Sequence, residues 1–558
     1  MPAPDLQSFV EELEQRRWLK RIRVEVDSRL EISEITDRVT KAGGPALLFE
    51  NVRGSRMPVL INTFGTRERI CLALGTDSLE QVAERVKELV KPEIPTTLLD
   101  KIKKLPQLMQ LGSLPPKIVR RGVCQEVVHT DDADLTALPA LQCWPGDGDL
   151  ARNTYSHIRE ILRTARNPGQ NVGESGNASA ADSSPSEWTR RALIAANEGS
   201  EHARRLFAGA ITDLRALVPP ANDGRYLTLT NVFTKNPETG ERNVGMYRVQ
   251  ILGPRLAAMH WHMHHDGARH FRRYQERGER MPIAVSFGGP AVMPYAATCP
   301  LPPGIDECLF AGFLNGGAIE LVACVSQPQL EVPATAELVV EGYIDPTDPP
   351  VIEGPFGDHT GFYSLADLYP RMHITAITHR AKPIYPATIV GKPPQEDFWL
   401  GKATERIFLP LLKTLIPDIL DYNLPMFGCF HNCAFVKIRK EYPHQARRVM
   451  SAIWGAGQMA FTKMIVVVDA DVDVQNEQDV LFRLCANCDP RRDVVIVDGP
   501  VDILDHAASV CGAGGKIGFD ATRKLPGEGV VREWPDEIEM GAEIKERVTR
   551  RWREYGLG

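Results

Sequence analysis

No stretch of the 558-residue chain reaches the roughly 18 consecutive apolar residues that a membrane-spanning helix needs. The first residues, Met1-Pro-Ala-Pro-Asp-Leu-Gln, lack the basic-then-apolar pattern of a secretory leader. These two absences predict a cytoplasmic protein. Excess positive charge is missing too: 65 Lys and Arg stand against 72 Asp and Glu, and a net charge of −7 argues against nucleic acid as a general partner while leaving room for a local basic pocket. Nor is there a disulfide framework. The eleven cysteines have no regular spacing and are odd in number, which favours reduced thiols. Cys485-Ala-Asn-Cys488 has no second pair nearby to complete a zinc or redox site. A Walker loop and a strand, GxGxxG, helix unit are both absent. The run Gly512-Ala-Gly-Gly-Lys-Ile-Gly518 follows no strong strand and reads as a turn.

With 43% apolar residues, a chain of this length buries several cores and predicts about three domains of roughly 150–200 residues. Helical spacing of Phe9, Val10 and Leu13 predicts an amphipathic helix from Leu6 to Leu19, and Ala46-Leu-Leu-Phe-Glu and Val59-Leu-Ile-Asn read as strands. Strand-like segments at Tyr226-Leu-Thr-Leu-Thr, Tyr247 to Leu252 and Ile283 to Phe287 predict a β-rich centre. Between them lies Arg166 to Ser186, poor in bulky apolar residues, then a helical pattern from Glu187 to Leu217 stopped by Pro219-Pro220, so the two together read as an inserted excursion outside the packed core. The last third alternates a helix from Gln445 to Met459 with β-branched runs at Met464 to Asp469 and Val494 to Asp498, which predicts an α/β domain with a partly parallel sheet. The charged tail from Pro535 to Arg553 reads as a helix, either solvated or packed on another subunit.

Two short segments carry the chemistry. In Glu353-Gly-Pro-Phe-Gly-Asp358, a proline and two glycines allow a sharp reversal, so both carboxylates can face one cavity. In Asn243-Val-Gly-Met-Tyr-Arg248, the segment reads as a strand, and a separation of five places Asn243 and Arg248 on opposite faces unless a bulge intervenes. Five of the fourteen histidines crowd into Met259 to His270; this is a candidate metal cluster or a polar strand edge bonded to backbone and water. Glu307 precedes a helical pattern and by itself reads as a first-turn carboxylate. An Asn oxygen, a His nitrogen and a Glu oxygen make a donor set too oxygen-rich for structural zinc and suited to manganese or magnesium.

These motifs resemble UbiD-type decarboxylases, the family that uses prenylated FMN to decarboxylate aromatic and α,β-unsaturated acids. The resemblance runs through Leu138 to Pro145, Asn243 to Arg248, Glu307 with Phe310-Ala-Gly, Val332 to Glu337, Glu341-Gly-Tyr, Glu353 to Tyr363 and Gly518 to Lys524, and departs between Asp147 and Arg225. It implies a mixed α/β fold: an N-terminal α/β region (1–115), a central split β-barrel that binds the flavin (116–330, with an insertion at about 148–224), and a C-terminal α/β oligomerisation domain (331–558) that includes the Glu353 and Asp358 loop. It implies Arg248, Glu353 and Asp358 as the catalytic trio, with Asp358 as proton donor. Asn243, His264 and Glu307 would hold Mn2+, with K+ as a further cation, and Met246, Tyr247, Arg248, His260, Trp261, His262, His265 and Asp266 would line the prenylated FMN. The implied activity is that of a carboxy-lyase on a ubiquinone or menaquinone precursor, 3-polyprenyl-4-hydroxybenzoate or a naphthoate, with a flavin prenyltransferase as cofactor supplier, a dimeric or hexameric homo-oligomer, and transient contact with the inner face of the cell membrane. The competing readings are a non-catalytic flavin-binding or assembly subunit and a carboxylase of phenolic substrates.

Overall fold

The computed structural model describes residues 1–90, 114–166, 214–262, 265–302 and 304–557. At the N-terminus the apolar stripe forms a helix, Leu6–Gln15, capped by Asp5, whose side chain accepts the Ser8 amide at 2.8 Å. It ends earlier than the pattern to Leu19 suggests, because Leu19–Ile22 leaves it to pair in parallel with Ala46–Phe49. Val59–Ile61 continues that sheet, and its far edge is completed by Tyr385–Pro386 from much later in the chain.

The centre is an open, antiparallel sheet in the order Tyr226–Leu227, Val249–Gly253, Leu256–Met259, Arg371–His379, Ala336–Ile344, Met281–Gly288, Asn231–Lys235, Arg242–Gly245, with Val127–His129 also pairing with Arg371–His379. The strand Met281–Gly288 is buried on both faces, and period-two alternation divides its side chains between two cores. Met281, Ile283, Val285 and Phe287 enter one; Ala284 enters the other. The expected boundary at 330/331 falls within this sheet, between the hydrogen-bonded neighbours Met281–Gly288 and Ala336–Ile344. Of the insertion, residues 167–213 lie outside the described residues. Its entry is a helix, Ser156–Arg166, whose Ile158, Ile161 and Leu162 are packed into the central core beside Leu217, so this part is not an excursion from the core.

A 19-residue helix, Asp397–Leu415, joins the centre to the C-terminal domain, giving Leu400, Ala403 and Ile407 to a central core and Leu412 to the next. Beyond it stands a five-stranded sheet ordered Ile419–Asn423, Cys433–Ile438, Met464–Val468, Ala513–Asp520, Val494–Pro500, with its three middle strands parallel. The glycine-rich run is therefore a strand and not a turn. Glycine is needed there for packing: a Cβ on Gly518 would lie 2.5 Å from Met450 Sδ, on the helix Gln445–Trp454 that covers the sheet. All eleven cysteines are unpaired. Among the described residues no helix is long and apolar enough to cross a membrane.

Candidate active site

Arg248 directly precedes the strand Val249–Gly253, and His260 directly follows Leu256–Met259. The antiparallel register places Val249 opposite Met259, so Arg248 and His260 emerge side by side, joined by a 3.3 Å bond from the His260 amide to the Arg248 carbonyl. The strand reading of residues 243–248 breaks after Gly245, where the Met246 amide turns aside to the Ala297 carbonyl. That break removes the opposite-face constraint between Asn243 and Arg248.

Glu353 ends a short strand, Val351–Glu353, paired with Asp367–Tyr369. The chain reverses at Gly354, whose φ of +91° suits glycine, and Phe356–Gly357 then pairs with Tyr363–Ser364. Two carboxyl and amide groups pin this loop: Gln250 accepts the Gly354 amide at 2.8 Å, and Asp147 accepts the Gly357 amide at 2.7 Å. Asp147 also accepts the Cys143 and Trp144 amides. Burial pushes its pKa up to about 7, against the pull of those three bonds.

The three side chains converge. Arg248 donates to both oxygens of Glu353, at 2.8 and 3.1 Å, to Asp358, and to Ser364 Oγ at 2.9 Å, with its guanidinium 4.6 Å from the Phe356 ring centre. Glu353 is 0% and Asp358 7% exposed, so the ions are buried. Burial alone would raise both carboxyl pKa values, but the Arg248 charge outweighs it. With help from His260, 3.0 Å away, Glu353 is held to about 2. Asp358 is likewise held well below the carboxylate range by Arg248 and by His359, whose amide and Nδ1 both reach Oδ1. His260 is kept neutral by burial and by Arg248. One cation against two carboxylates leaves a net negative charge. His359 answers it: its pKa is raised, because the bond to Asp358 and the charges of Asp358, Asp502 and Asp397 outweigh its burial.

A second acidic group lies at the edge of the sheet. Glu307 opens the helix Glu307–Asn315, and its Oε2 accepts the Val244 amide at 2.8 Å, which sets it beside Asn243 on the strand Arg242–Gly245. Neighbouring Arg242 is committed to Asp306 and Glu331. Among the described residues Glu307 has no cationic partner, and burial pushes its pKa up to about 8. A desolvated carboxylate beside a buried Asn side chain is a pair of oxygen donors that a hard cation would satisfy. His264, the third expected ligand, lies outside the described residues. His270, in the same cluster, bonds Thr234 Oγ1 through Nδ1 at 3.0 Å, and the Asn243 amide meets the same hydroxyl at 3.3 Å.

Of the residues expected along the flavin, Tyr247 rests against His265 with ring centres 5.0 Å apart, and His262 stacks on His265 at 4.6 Å. His260 and His262 meet through their Nε2 atoms at 2.8 Å. Met246 is half-buried against the second core, and Asp266 pairs with Arg269 in the helix it begins. Trp261 is a core residue between Tyr247 and Phe271, and its indole N–H has no partner among the described residues. Sequence reasoning passed over His359, His431, Asp147 and Ser364. Only His359 carried a signal, its place next to Asp358.

Sequence profiles of one family match along most of the chain: the N-terminal domain of 3-octaprenyl-4-hydroxybenzoate carboxy-lyase at residues 10–89, its Rift-related domain at 211–393 and its C-terminal domain at 398–521. An uncharacterized protein of Aquifex aeolicus is 43% identical over 555 residues, 99% of each chain. The closed form of vanillic acid decarboxylase from Sedimentibacter hydroxybenzoicus matches with a TM-score of 0.75 at 24% identity, over 99% of this chain and 100% of that one. An evolved dimeric form of the UbiD-class enzyme HmfF from Pelotomaculum thermopropionicum, in complex with prFMN, matches with a TM-score of 0.68 at 22% identity, over 97% and 98%. At such identities the structures establish the common fold, and the three profiles in their order establish the kinship. The chain belongs to the UbiD family of carboxy-lyases.

Proposed function

We propose that this protein is a prenylated-FMN-dependent, non-oxidative decarboxylase of an aromatic acid, most naturally a quinone precursor of the kind the family is named for. The observation that carries the reading is the engagement of Glu353 and Asp358 by one buried guanidinium, Arg248, all three within residues 211–393, the region matched to the family's Rift-related domain. The buried Glu307 carboxylate beside Asn243, with no cationic partner among the described residues, would hold a Mn2+ ion together with Asn243 and His264, and that ion would supply positive charge for a flavin phosphate. Met246, Tyr247, His260, Trp261, His262, His265 and Asp266, with Arg248, are the residues that would hold the flavin.

When bound, the prenylated flavin supplies the electron sink that amino-acid side chains cannot offer to the carbon losing carbon dioxide. Arg248 fixes the Glu353 carboxylate and keeps it charged. Asp358 gives the proton that replaces the carboxyl group, so that an acid anion and one proton become arene and carbon dioxide. Because Asp358 rests as a carboxylate, it has to be protonated once per turnover.

The test is coexpression with a flavin prenyltransferase in the presence of Mn2+, followed by the absorption spectrum and mass of the released cofactor. Carbon dioxide release is then measured from benzoates, 3-polyprenyl-4-hydroxybenzoate and the naphthoate counterpart. Bound prenylated FMN with turnover, abolished by Glu353→Gln or Asp358→Asn, is the expected result. Cofactor binding and biological activity unchanged in both variants would give the protein a flavin-carrying role instead.

A further inference from the structure

The C-terminal domain reaches into the site through one turn. Between the 3-10 turn Met426–Gly428 and the strand Cys433–Ile438, Cys429 and Phe430 take φ values of 47° and 51°, a conformation L-residues adopt only when the surroundings impose it. The Asn432 amide closes the turn on the Gly428 carbonyl at 2.7 Å. Gly401 makes room for it, since a Cβ there would sit 3.0 Å from the Phe430 ring. The outcome is that Phe430 stacks on His359, with ring centres 5.0 Å apart and planes 14° apart, while His431 Nε2 meets His359 Nε2 at 2.6 Å. The other nitrogen of His359 bonds Asp358 at 3.0 Å.

We infer that His359 is the proton reservoir for Asp358, and that His431 is the C-terminal domain's latch on it, accepting the outer N–H of the His359 imidazolium and fixing its orientation while the domains are docked. The inference rests on the decarboxylase reading above. In the donating step the His359 Nδ1–H bond breaks and an Asp358 O–H bond forms; Asp358 then passes that proton to the product carbon. His359 is left neutral and recovers a proton from solvent, to which 15% of its side chain is open.

Two nitrogens facing each other at 2.6 Å must share one proton, and the surrounding charges decide where it sits. His359 faces Asp358 on its own loop, Asp397 at the start of the long helix and Asp502 in the hairpin between Val494–Pro500 and Ala513–Asp520; these outweigh its burial and raise its pKa. His431 faces Asp502, Asp505, Asn432 and His359, yet burial dominates and its pKa falls to about 4. The imidazolium is therefore His359 and the acceptor His431.

The sign follows. A reservoir works only when charged, so turnover falls as pH rises through the His359 pKa. Removing the acceptor destabilises the imidazolium and moves that fall to lower pH. The measurements are the pH profile of kcat and, on protein without cofactor, the titration of the His359 ring by NMR of histidine-labelled protein. They are made for the unsubstituted protein, His359→Asn, His431→Phe and His431→Gln. We expect His359→Asn to lose about 100-fold in kcat with KM little changed, and His431→Phe to shift both the alkaline limb and the His359 midpoint to lower pH. His431→Gln, which keeps an acceptor, should restore part of the shift. An unmoved His359 midpoint in folded His431→Phe and His431→Gln overturns the latch, and an unchanged kcat profile in His359→Asn overturns the reservoir. If the unsubstituted protein releases no carbon dioxide from any acid, the decarboxylase reading and the reservoir fall together, whereas the NMR midpoints still decide the histidine coupling.

Discussion

At the scale of single residues, the decisive feature is Arg248, one cation serving two buried carboxylates. Glu353 ionises at about 2 in place of its ordinary 4.5, so the stability it lends is complete above the ordinary carboxylate range and is lost as pH falls toward 2. Arg248→Met leaves Glu353 and Asp358 buried with burial as the dominant influence, which drives both toward the neutral form. The expected cost is about 3–5 kcal/mol near pH 7, the price of stranding a buried charge. It should shrink as pH falls, because protonating the two carboxyls removes the stranded charge. Denaturation midpoints between pH 5 and 8 check this; a deficit independent of pH would mean that Arg248 acts through its packing on Phe356. The trio was legible in the sequence because Glu353 and Asp358 flank a reversal of stated chemistry and Arg248 sits in a second dense motif. His359 was marked only by its place next to Asp358, and His431 by nothing, because it stands in no motif and meets His359 only through the docking of the C-terminal domain.

At the scale of elements, the site depends on a turn with no spare volume. A Cβ on Gly357 would lie 2.1 Å from Trp144 Cδ1, and Trp144 is itself held by a 2.8 Å bond from its indole N–H to the Val390 carbonyl. Gly357→Ala therefore displaces the loop next to Asp358 and strains the Asp147 bond to the Gly357 amide. We expect a loss on the order of 1–3 kcal/mol, together with a loss of decarboxylation beyond the fall in folded fraction. Gly515→Ala, with open space around it and no left-handed backbone angle, is the matched control and should be neutral. Equal stability and activity in the two variants would refute the packing argument. Periodicity predicted the helix at Leu6 and apolar content the strand at Met464 because those elements bury their apolar side chains, whereas the strand at Val494 is largely exposed and is marked only by its β-branched run. Periodicity misjudged Asn243 to Arg248, where the strand stops at Gly245 for a tertiary bond, and Gly512 to Gly518, where Gly518 serves helix packing and no side-chain pattern marks the strand.

At the scale of the molecule, the order of three α/β and β-rich regions was readable from composition and resemblance, but the way they are fastened was not. The fastening is made of contacts between distant loops: Phe362 against His506 at 3.9 Å between ring centres, the Tyr155 hydroxyl on Cys511 Sγ at 3.6 Å, and His359 on His431. The first two place the C-terminal hairpin over the Glu353 to Tyr363 loop and over the entry of the insertion. Cys511 is half-buried in that contact, and burial raises its thiol pKa, so the docked state should react slowly with an alkylating agent. Cys485, exposed on the helix Glu477–Asn487, reports the same chemistry without the domain contact. Phe362→Ala removes one ring of the fastening and shifts the balance toward undocked domains. Alkylation of Cys511, followed by peptide mass spectrometry, should then accelerate several-fold relative to Cys485 in the same sample, and turnover should fall because the His359 to His431 contact is made only when docked. If the ratio of the two rates stays at its unsubstituted value, the Phe362 and His506 contact does not hold the domains together, and the coupling must lie in the long helix Asp397–Leu415, which no loop substitution would release.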